Sequence, residues 1–270
     1  RAAIQRTLLP VMLSWFADEA DPDAGLLAFR RVSDDLGSIH WYLKMLRDEG
    51  SAAERLAHVL GRSRYAADLL IRAPESVSIL GDPDGLRPRS QESLAITLRS
   101  AAARKDNPDK AMAAVGALRR HELLRIVLGD LTGQFAADQV GAALADLAGA
   151  TVEAALEVAT RVVGGGEDGL LVDVLVVGMG SLGGRELGYA SDAYVMVIHH
   201  PRPGVSDEAA HRQGLAIVQD QEGHVAQRVD GVKIGAIGQL VGFGAGHNGF
   251  DGQARFASND MGCEGASAGA

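Results

Sequence analysis

The residues best suited to chemistry lie in one stretch, Val176-Val-Gly-Met-Gly-Ser-Leu-Gly-Gly-Arg-Glu-Leu-Gly-Tyr-Ala-Ser-Asp-Ala-Tyr-Val-Met-Val197. Gly178, Gly180 and Gly183 satisfy Gly-x-Gly-x-x-Gly directly after an apolar, β-branched run, where a strand-to-helix turn brings backbone amides close to a phosphate. A dinucleotide would also require an unbroken helix after the glycines and an acidic residue about 20 positions on. Gly188 interrupts that helix and the next apolar run ends in His199-His200, so the spacing serves a dinucleotide poorly. Asp192 is placed at the start of that second run. Ser191 has no histidine with a supporting acid near it by any motif, which makes it a local hydrogen-bonding residue that fixes Asp192 rather than a nucleophile. His199 and His200 face opposite ways on a strand and have no histidine at i+4 and no cysteine partner, so they read as a solvated strand end rather than a metal site.

A second arrangement fits the spacing better. Ten residues separate Gly180-Ser181 from Asp192, which resembles the nucleotidyltransferase superfamily that includes DNA polymerase β: Gly-Ser or Gly-Gly after a strand, a short helix, then Asp-x-Asp or Asp-x-Glu. The chemistry needs these types because small residues let a triphosphate approach the backbone, and carboxylates two apart on a strand point the same way and hold Mg²⁺.

The longer run GMGSLGGRELGYASDAYVMV is similar to the signature of the bifunctional glutamine synthetase adenylyltransferase/adenylyl-removing family, G-x-G-x-L-G-G-x-E-L-x-x-x-S-D-x-D. Leu182-Gly-Gly-Arg-Glu-Leu187 and Ser191-Asp192 match residue for residue. Upstream, Leu118-Arg-Arg-His-Glu-Leu-Leu-Arg-Ile126 resembles the helix before that family's nucleotidyltransferase domain. LLPVMLSWFADEADPDAGLLAFRRVSDDLG, WYLKMLRDEG and VLGRSRYAADLLIRAPESVSILGD resemble the helical region joining its two catalytic halves. The resemblance covers residues 1–212, is strongest to actinobacterial members, and corresponds to the linker and the start of the C-terminal half, which performs adenylylation; the N-terminal half removes AMP by phosphorolysis.

The resemblance implies an enzyme that transfers AMP from ATP to a tyrosine of glutamine synthetase and so regulates nitrogen assimilation in the cytoplasm. ATP and Mg²⁺ would be its cofactors, and glutamine synthetase its partner, with a PII-type signal protein as a further one. Gly178, Gly180, Ser181, Gly183 and Gly184 would cradle the triphosphate, and Asp192 would be both the catalytic carboxylate and the metal ligand. Two departures stand against the match. Tyr194 occupies the place of the second aspartate, and a phenol with a reference pKa near 10 is no hard anionic ligand. The later V-D-x-x-L-R-P strand is not found after residue 212; Val229-Asp230-Gly-Val is its nearest counterpart, and Asp220 or Asp230 is the remaining carboxylate for the site. They support an alternative, a catalytically inactive fragment that retains only partner-binding helical surfaces.

The elements that must position this segment are mostly helical. Residues 1 to about 164 read as helix after helix. Ser51-Ala-Ala-Glu54 has the form of a capping box ahead of Leu56, Val59 and Leu60, predicting a helix over 52–60 ended by Gly61. Asn107-Pro108 supplies a cap and a first-turn proline to a helix reaching about Asp130, with Met112, Val115, Leu118, Leu123, Leu124 and Val127 on its apolar face. Alanine-rich residues 136–162 read as one long or two short helices. Trp15, Trp41 and Tyr42 read as core, and Arg119, Arg120, His121 and Arg125 as a mixed helix face. After Gly164-Gly-Gly-Glu-Asp-Gly169, residues 170–177 and 194–198 read as strands. The fold expected is α+β: a helical bundle region followed by a partial nucleotidyltransferase (polymerase β-like) α/β domain. Its parts are a helical linker over 1–85, a helical lead-in over 86–163, the nucleotidyltransferase core over 164–212, and a poorly ordered glycine-rich tail over 213–270. That tail has the character of a shifted reading frame or a decaying copy.

Composition excludes several classes. The 270 residues carry 26 Lys+Arg against 35 Asp+Glu, a formal charge of −9, which is the wrong sign for a nucleic-acid footprint. The single cysteine, Cys263, rules out an internal disulfide framework and a cysteine-rich zinc site and fits a reducing compartment. The longest apolar run, 170–178, is about half the ~20 residues a membrane helix requires. Arg1 at the start and the absence of a cleavage site in RAAIQRTLLPVMLSWF read as an internal piece of a longer chain rather than a secretion signal.

Overall fold

Short polar residues and prolines set the helix starts. The Asp21 carboxylate accepts the Ala24 amide at 3.1 Å and Pro22 occupies the first turn. Ser63 accepts from Ala66 at 3.1 Å, and Asn107 from Lys110 at 3.0 Å ahead of Pro108, as its sequence predicts. The computed structural model describes residues 2–48, 50–82, 84–166, 169–228, 237–239 and 255–257. Among these, the elements in order are α1 (Ala2–Ala17), α2 (Pro22–Leu36), α3 (His40–Asp48), α4 (Gly50–Arg62), α5 (Arg64–Arg72), two 3-10 turns (Pro74–Gly81 and Asp84–Leu86), α6 (Gln91–Ala103), α7 (Pro108–Leu131) and α8 (Ala137–Val163). There follow β1 (Val172–Gly178), α9 (Gly180–Gly183), β2 (Val195–Pro201), α10 (Asp207–Arg228), β3 (Ile237–Gln239) and β4 (Arg255–Ala257). The class is α+β, as expected, and residues 137–163 form one helix rather than two.

Two units divide the chain: Arg1–Ser90 with Gly116–Ala143, and Gln91–Val115 with Leu144–Ala270, so that α7 and α8 each contribute to both. In the first unit, Phe16, Val32, Tyr42, Leu56, Leu70, Leu80 and Leu128 belong to one buried cluster. Tyr42 is fully buried with its hydroxyl 2.9 Å from Ser33 Oγ, and burial pushes its phenol up to about 12. Trp15 packs partly buried against this cluster, and Trp41 is about one-third exposed, edge-on to Tyr42.

Helix α4 departs from its expected bounds. It starts at Gly50, which puts Ser51 inside the first turn rather than at the cap, and it runs through Gly61 to Arg62. Gly61 is buried mid-packing: a Cβ there would lie 2.6 Å from Glu19 Cβ, and a Cβ on Gly25 would lie 2.8 Å from Gly61 Cα. The glycine serves the close approach of α2 and the end of α1 to α4, a tertiary requirement that looks like a helix stop in the sequence. The mixed face of α7 forms pairs within this unit: Arg125 donates to buried Glu122 at 2.9 Å, Arg89 lies 3.4 Å from the same carboxylate, and His121 Nδ1 sits 3.2 Å from Ser76 Oγ. Burial holds His121 below its ordinary pKa.

In the second unit, Val172, Val174 and Val176 on β1 and Val195, Val197 and His199 on β2 are buried at alternating positions, the period-2 pattern of a sheet covered on one face. Helix α10 covers it with Ala210, Gly214, Ile217 and Val218. The sheet order is β3-β2-β1-β4. Strands β1 and β2 pair antiparallel, from Val172 with Pro201 to Gly178 with Val195, while β3 adds parallel to β2 and β4 parallel to β1. A dinucleotide unit needs its first two strands parallel with a helical crossover between them, so the antiparallel register overturns that reading. The far end of the hairpin is tied by Arg202, which donates to Asp173 at 2.9 Å, and by Gln213, which bonds Leu171 N and Gly169 O at 2.6 and 2.8 Å. Of the glycine-rich region, the described residues are those of α10 to Arg228, β3 and β4; Val229, Asp230 and the other residues beyond Arg228 lie outside them, as does the side chain of Asp220. No described helix is long and apolar enough to cross a membrane.

Candidate functional site

The glycine segment caps the end of the hairpin. Val172 to Gly178 must run extended to bury alternate valines, so the chain leaves β1 at Gly178 with no residue to spare before it turns. Gly180 turns it with a φ of +53°, a left-handed conformation that glycine alone adopts without strain. Gly183 then passes against the β1 end so closely that a Cβ would clash with the Gly178 carbonyl oxygen, well inside van der Waals contact. Gly184 is different: its φ is −80° and a Cβ would make ordinary contact, so neither the turn nor the packing demands glycine there.

Hydrogen bonds within the turn use most of its amides. Leu182 and Gly183 donate to Met179 O at 3.1 and 3.2 Å, Gly184 to Gly180 O at 2.9 Å, Arg185 to Leu182 O at 3.2 Å and Glu186 to Ser181 O at 2.8 Å. Leu182 and Leu187 anchor the turn in the interior, whereas Gly180, Ser181 and Gly184 are exposed. Gly180 and Ser181 face outward at the start of the turn, and their amides are outside the set of bonds just named.

The return to β2 passes beside this loop. Met179 N donates to Tyr194 O at 2.8 Å, which extends the β1–β2 ladder by one step. Ala193 and Val195 are buried, so Asp192 and Tyr194 fall on the other side; Asp192 is half-buried and Tyr194 is 55% exposed. Ser191 Oγ accepts the Gly188 amide at 3.2 Å, and Ser191 N donates to Gly188 O at 3.1 Å, a closed local turn ahead of Asp192 of the kind short hydroxyl side chains form. The structure thus brings the glycine loop and the start of β2 together.

The residues present fit a polyphosphate better than a metal. An outward turn with no Cβ at Gly180, where nothing crowds the Cβ position, admits close approach of phosphate oxygens. A hard divalent cation needs several anionic oxygens, and beside Asp192 the strand supplies a phenol. Among the described residues no group of three or more His, Cys, Asp or Glu is placed to hold a metal. His199 is buried 3.3 Å from His211 Nδ1, and His200 is exposed; a buried rather than solvated His199 departs from the sequence reading, because Gly214 on α10 leaves room for its ring.

Sequence reasoning missed one pair at this site. Arg185 has a φ of +58°, the one described non-glycine residue in that region, and its guanidinium donates at 2.9 Å to Asp146, a buried carboxylate on α8. An aspartate on a stretch where Ala145, Leu147 and Ala148 are all buried was the available signal; its partner, 39 residues away, had none.

Comparison with known proteins places this chain in a family. Residues 53–218 match the family model described as glutamate-ammonia ligase adenylyltransferase. The chain is 48% identical over 237 residues to the bifunctional glutamine synthetase adenylyltransferase/adenylyl-removing enzyme of Streptomyces avermitilis, covering 82% of this chain and 24% of that protein. It is 49% identical to the enzyme of the same name from Streptomyces coelicolor, covering 82% and 23%, and 45% identical to that of Leifsonia xyli, covering 82% and 21%. The chain spans about a quarter of the length of these curated relatives. With more than half its residues in the matched model and the glycine loop inside the matched span, the chain belongs to the glutamate-ammonia ligase adenylyltransferase family.

Proposed function

We infer that the chain carries the ATP-binding loop of a nucleotidyltransferase that adenylylates glutamine synthetase. The observation that carries this reading is the outward turn at Gly180-Ser181, closed by Gly183 against Gly178 and tied through Met179 N to Tyr194 O, in the segment that leads from Asp192 into β2. Gly178, Gly180, Ser181 and Gly183 would hold the polyphosphate, with Gly184 following as part of the motif. Asp192 would face the reacting α-phosphate and orient the incoming hydroxyl. In the reaction, a tyrosine oxygen of glutamine synthetase bonds to the α-phosphorus, the bond to the β-bridging oxygen breaks, pyrophosphate leaves and the phenolic proton passes to solvent. The protein's part is positioning. Mg²⁺ would supply charge neutralisation in such chemistry; the described donors form an incomplete set for it, and no step is assigned to it. A PII-type signal protein as a partner and a cytoplasmic setting belong to the same reading.

A second reading, a catalytically inactive segment that keeps partner-binding helical surfaces, is supported by Tyr194, exposed where the family signature has a carboxylate. One experiment separates the two. The chain is incubated with α-labelled ATP, Mg²⁺ and purified glutamine synthetase. Label on glutamine synthetase supports transfer by this chain. Absence of label from a folded chain that still binds glutamine synthetase supports the second reading.

A further inference from the structure

Arg185 sits where the chain would otherwise use another glycine. Gly180, Gly183, Gly184 and Gly188 surround it, and its own φ of +58° lies in the region that side chains disfavour. If the backbone alone chose the residue, glycine would serve without strain. The side chain must therefore contribute something that outweighs the strain, and its geometry indicates what. Its Nη2 donates at 2.9 Å to Asp146 Oδ2, whose side chain is 10% exposed, on the long helix α8. In the same residue, the amide closes the glycine turn onto Leu182 O, and the next amide, of Glu186, closes it onto Ser181 O. One residue thus joins the last bonds of the loop to a rigid helix. The Arg185 side chain remains 35% exposed, so the pair is neither sealed in the core nor a freely rotating surface contact.

We propose that Arg185 and Asp146 are positioning residues: their ion pair holds the glycine turn against α8 so that Gly180 and Ser181 are preorganised for a polyphosphate. Neither residue touches the nucleotide. A loop fixed before binding loses less freedom when the ligand arrives, so the clasp acts on affinity through the loop. The proposal rests on the reading of this loop as an ATP site.

The test uses the full chain and three variants: Asp146→Asn, Arg185→Gly, and the double variant Asp146→Asn/Arg185→Gln. Arg185→Gly keeps the left-handed turn and removes the tie. The double variant leaves no buried charge unpaired, which keeps the test valid should a single variant fold poorly. Circular dichroism establishes that each is folded at the temperature of measurement, and affinities are then read for ATP, inorganic tripolyphosphate and adenosine. Each variant is expected to bind ATP and tripolyphosphate at least tenfold more weakly than wild type by the same factor. Adenosine binding is expected to stay within twofold, which a general loss of structure would not leave intact. The double variant is expected to lose no more than the weaker-binding single variant, because both residues act through one contact. Folded variants that bind ATP within twofold of wild type overturn the clasp and leave the ATP site standing. A wild-type chain that binds neither ATP nor tripolyphosphate overturns both.

Discussion

Gly183 leaves no room for a side chain, since its Cβ direction points into the Gly178 carbonyl. Replacing it with alanine must move either the β1 end or the turn, and overpacking of this kind costs about 1–3 kcal/mol. Gly183→Ala is therefore expected to lower the urea midpoint and to weaken ATP binding, and an equal change at Gly184, whose Cβ would make only ordinary contact with the Gly180 carbonyl, to do neither; urea titration and ATP titration of the two variants check this. Tyr194 is exposed in the segment leading into β2, two residues after Asp192 and on the side away from buried Ala193 and Val195. Tyr194→Asp places two carboxylates two residues apart on one face, so Mg²⁺ is expected to raise ATP affinity more in this variant than in wild type. Equal Mg²⁺ dependence of the two proteins, measured by calorimetry, would refute that. The glycines, Ser181 and Asp192 stand out in the sequence by type and spacing, and Tyr194 stands out only against the family signature. The Arg185–Asp146 pair does not, because a contact between residues 39 positions apart leaves no local pattern.

At the scale of elements, close packing explains where the sequence misled. Gly61 reads as a helix terminus, yet α4 continues through it because α2 comes within reach of its Cα. Gly61→Ala is expected to destabilise the first unit by roughly 1–3 kcal/mol, in spite of alanine's higher helix propensity. A gain in the denaturation midpoint would show that Gly61 acts only as a helix breaker. The packing of α10 on β2 carries a pH dependence. His199 is buried against His211, with Gly214 beneath its ring and His200 next in the strand. Burial first, then the neighbouring His211 and His200 charges, hold its pKa below the ordinary value. The other charged groups described in these elements are paired among themselves, Arg212 with Glu208 on α10 and Arg202 with Asp173 on the hairpin, and Asp207 begins α10. As pH falls through about 6.5 the unfolded chain takes up a proton that folded His199 does not. Its contribution to stability is thus complete above that pH and declines below it. The urea midpoint is expected to fall between pH 7.5 and 5.5, and His199→Leu to flatten that fall.

For the whole molecule, ligand linkage gives the broadest check. A ligand that binds only the folded state at a hundred times its Kd adds about 2.7 kcal/mol of stability, so saturating ATP is expected to raise the denaturation midpoint of the wild-type chain and leave that of Gly183→Ala nearly unchanged. The family, the helical character of residues 1–163 and the strand–glycine–strand plan were determined by the sequence itself. Caps such as Asn107, apolar spacing along α7 and the order of Gly180, Ser181 and Asp192 are properties of neighbours in the chain, and local physics is written locally. The antiparallel register of β1 with β2, the role of Gly61, the burial of His199 and the Arg185–Asp146 tie were decided only by tertiary structure. Each depends on a surface that exists only after distant segments meet, and the free energy that selects it comes from packing and desolvation at that meeting rather than from any residue's own preference.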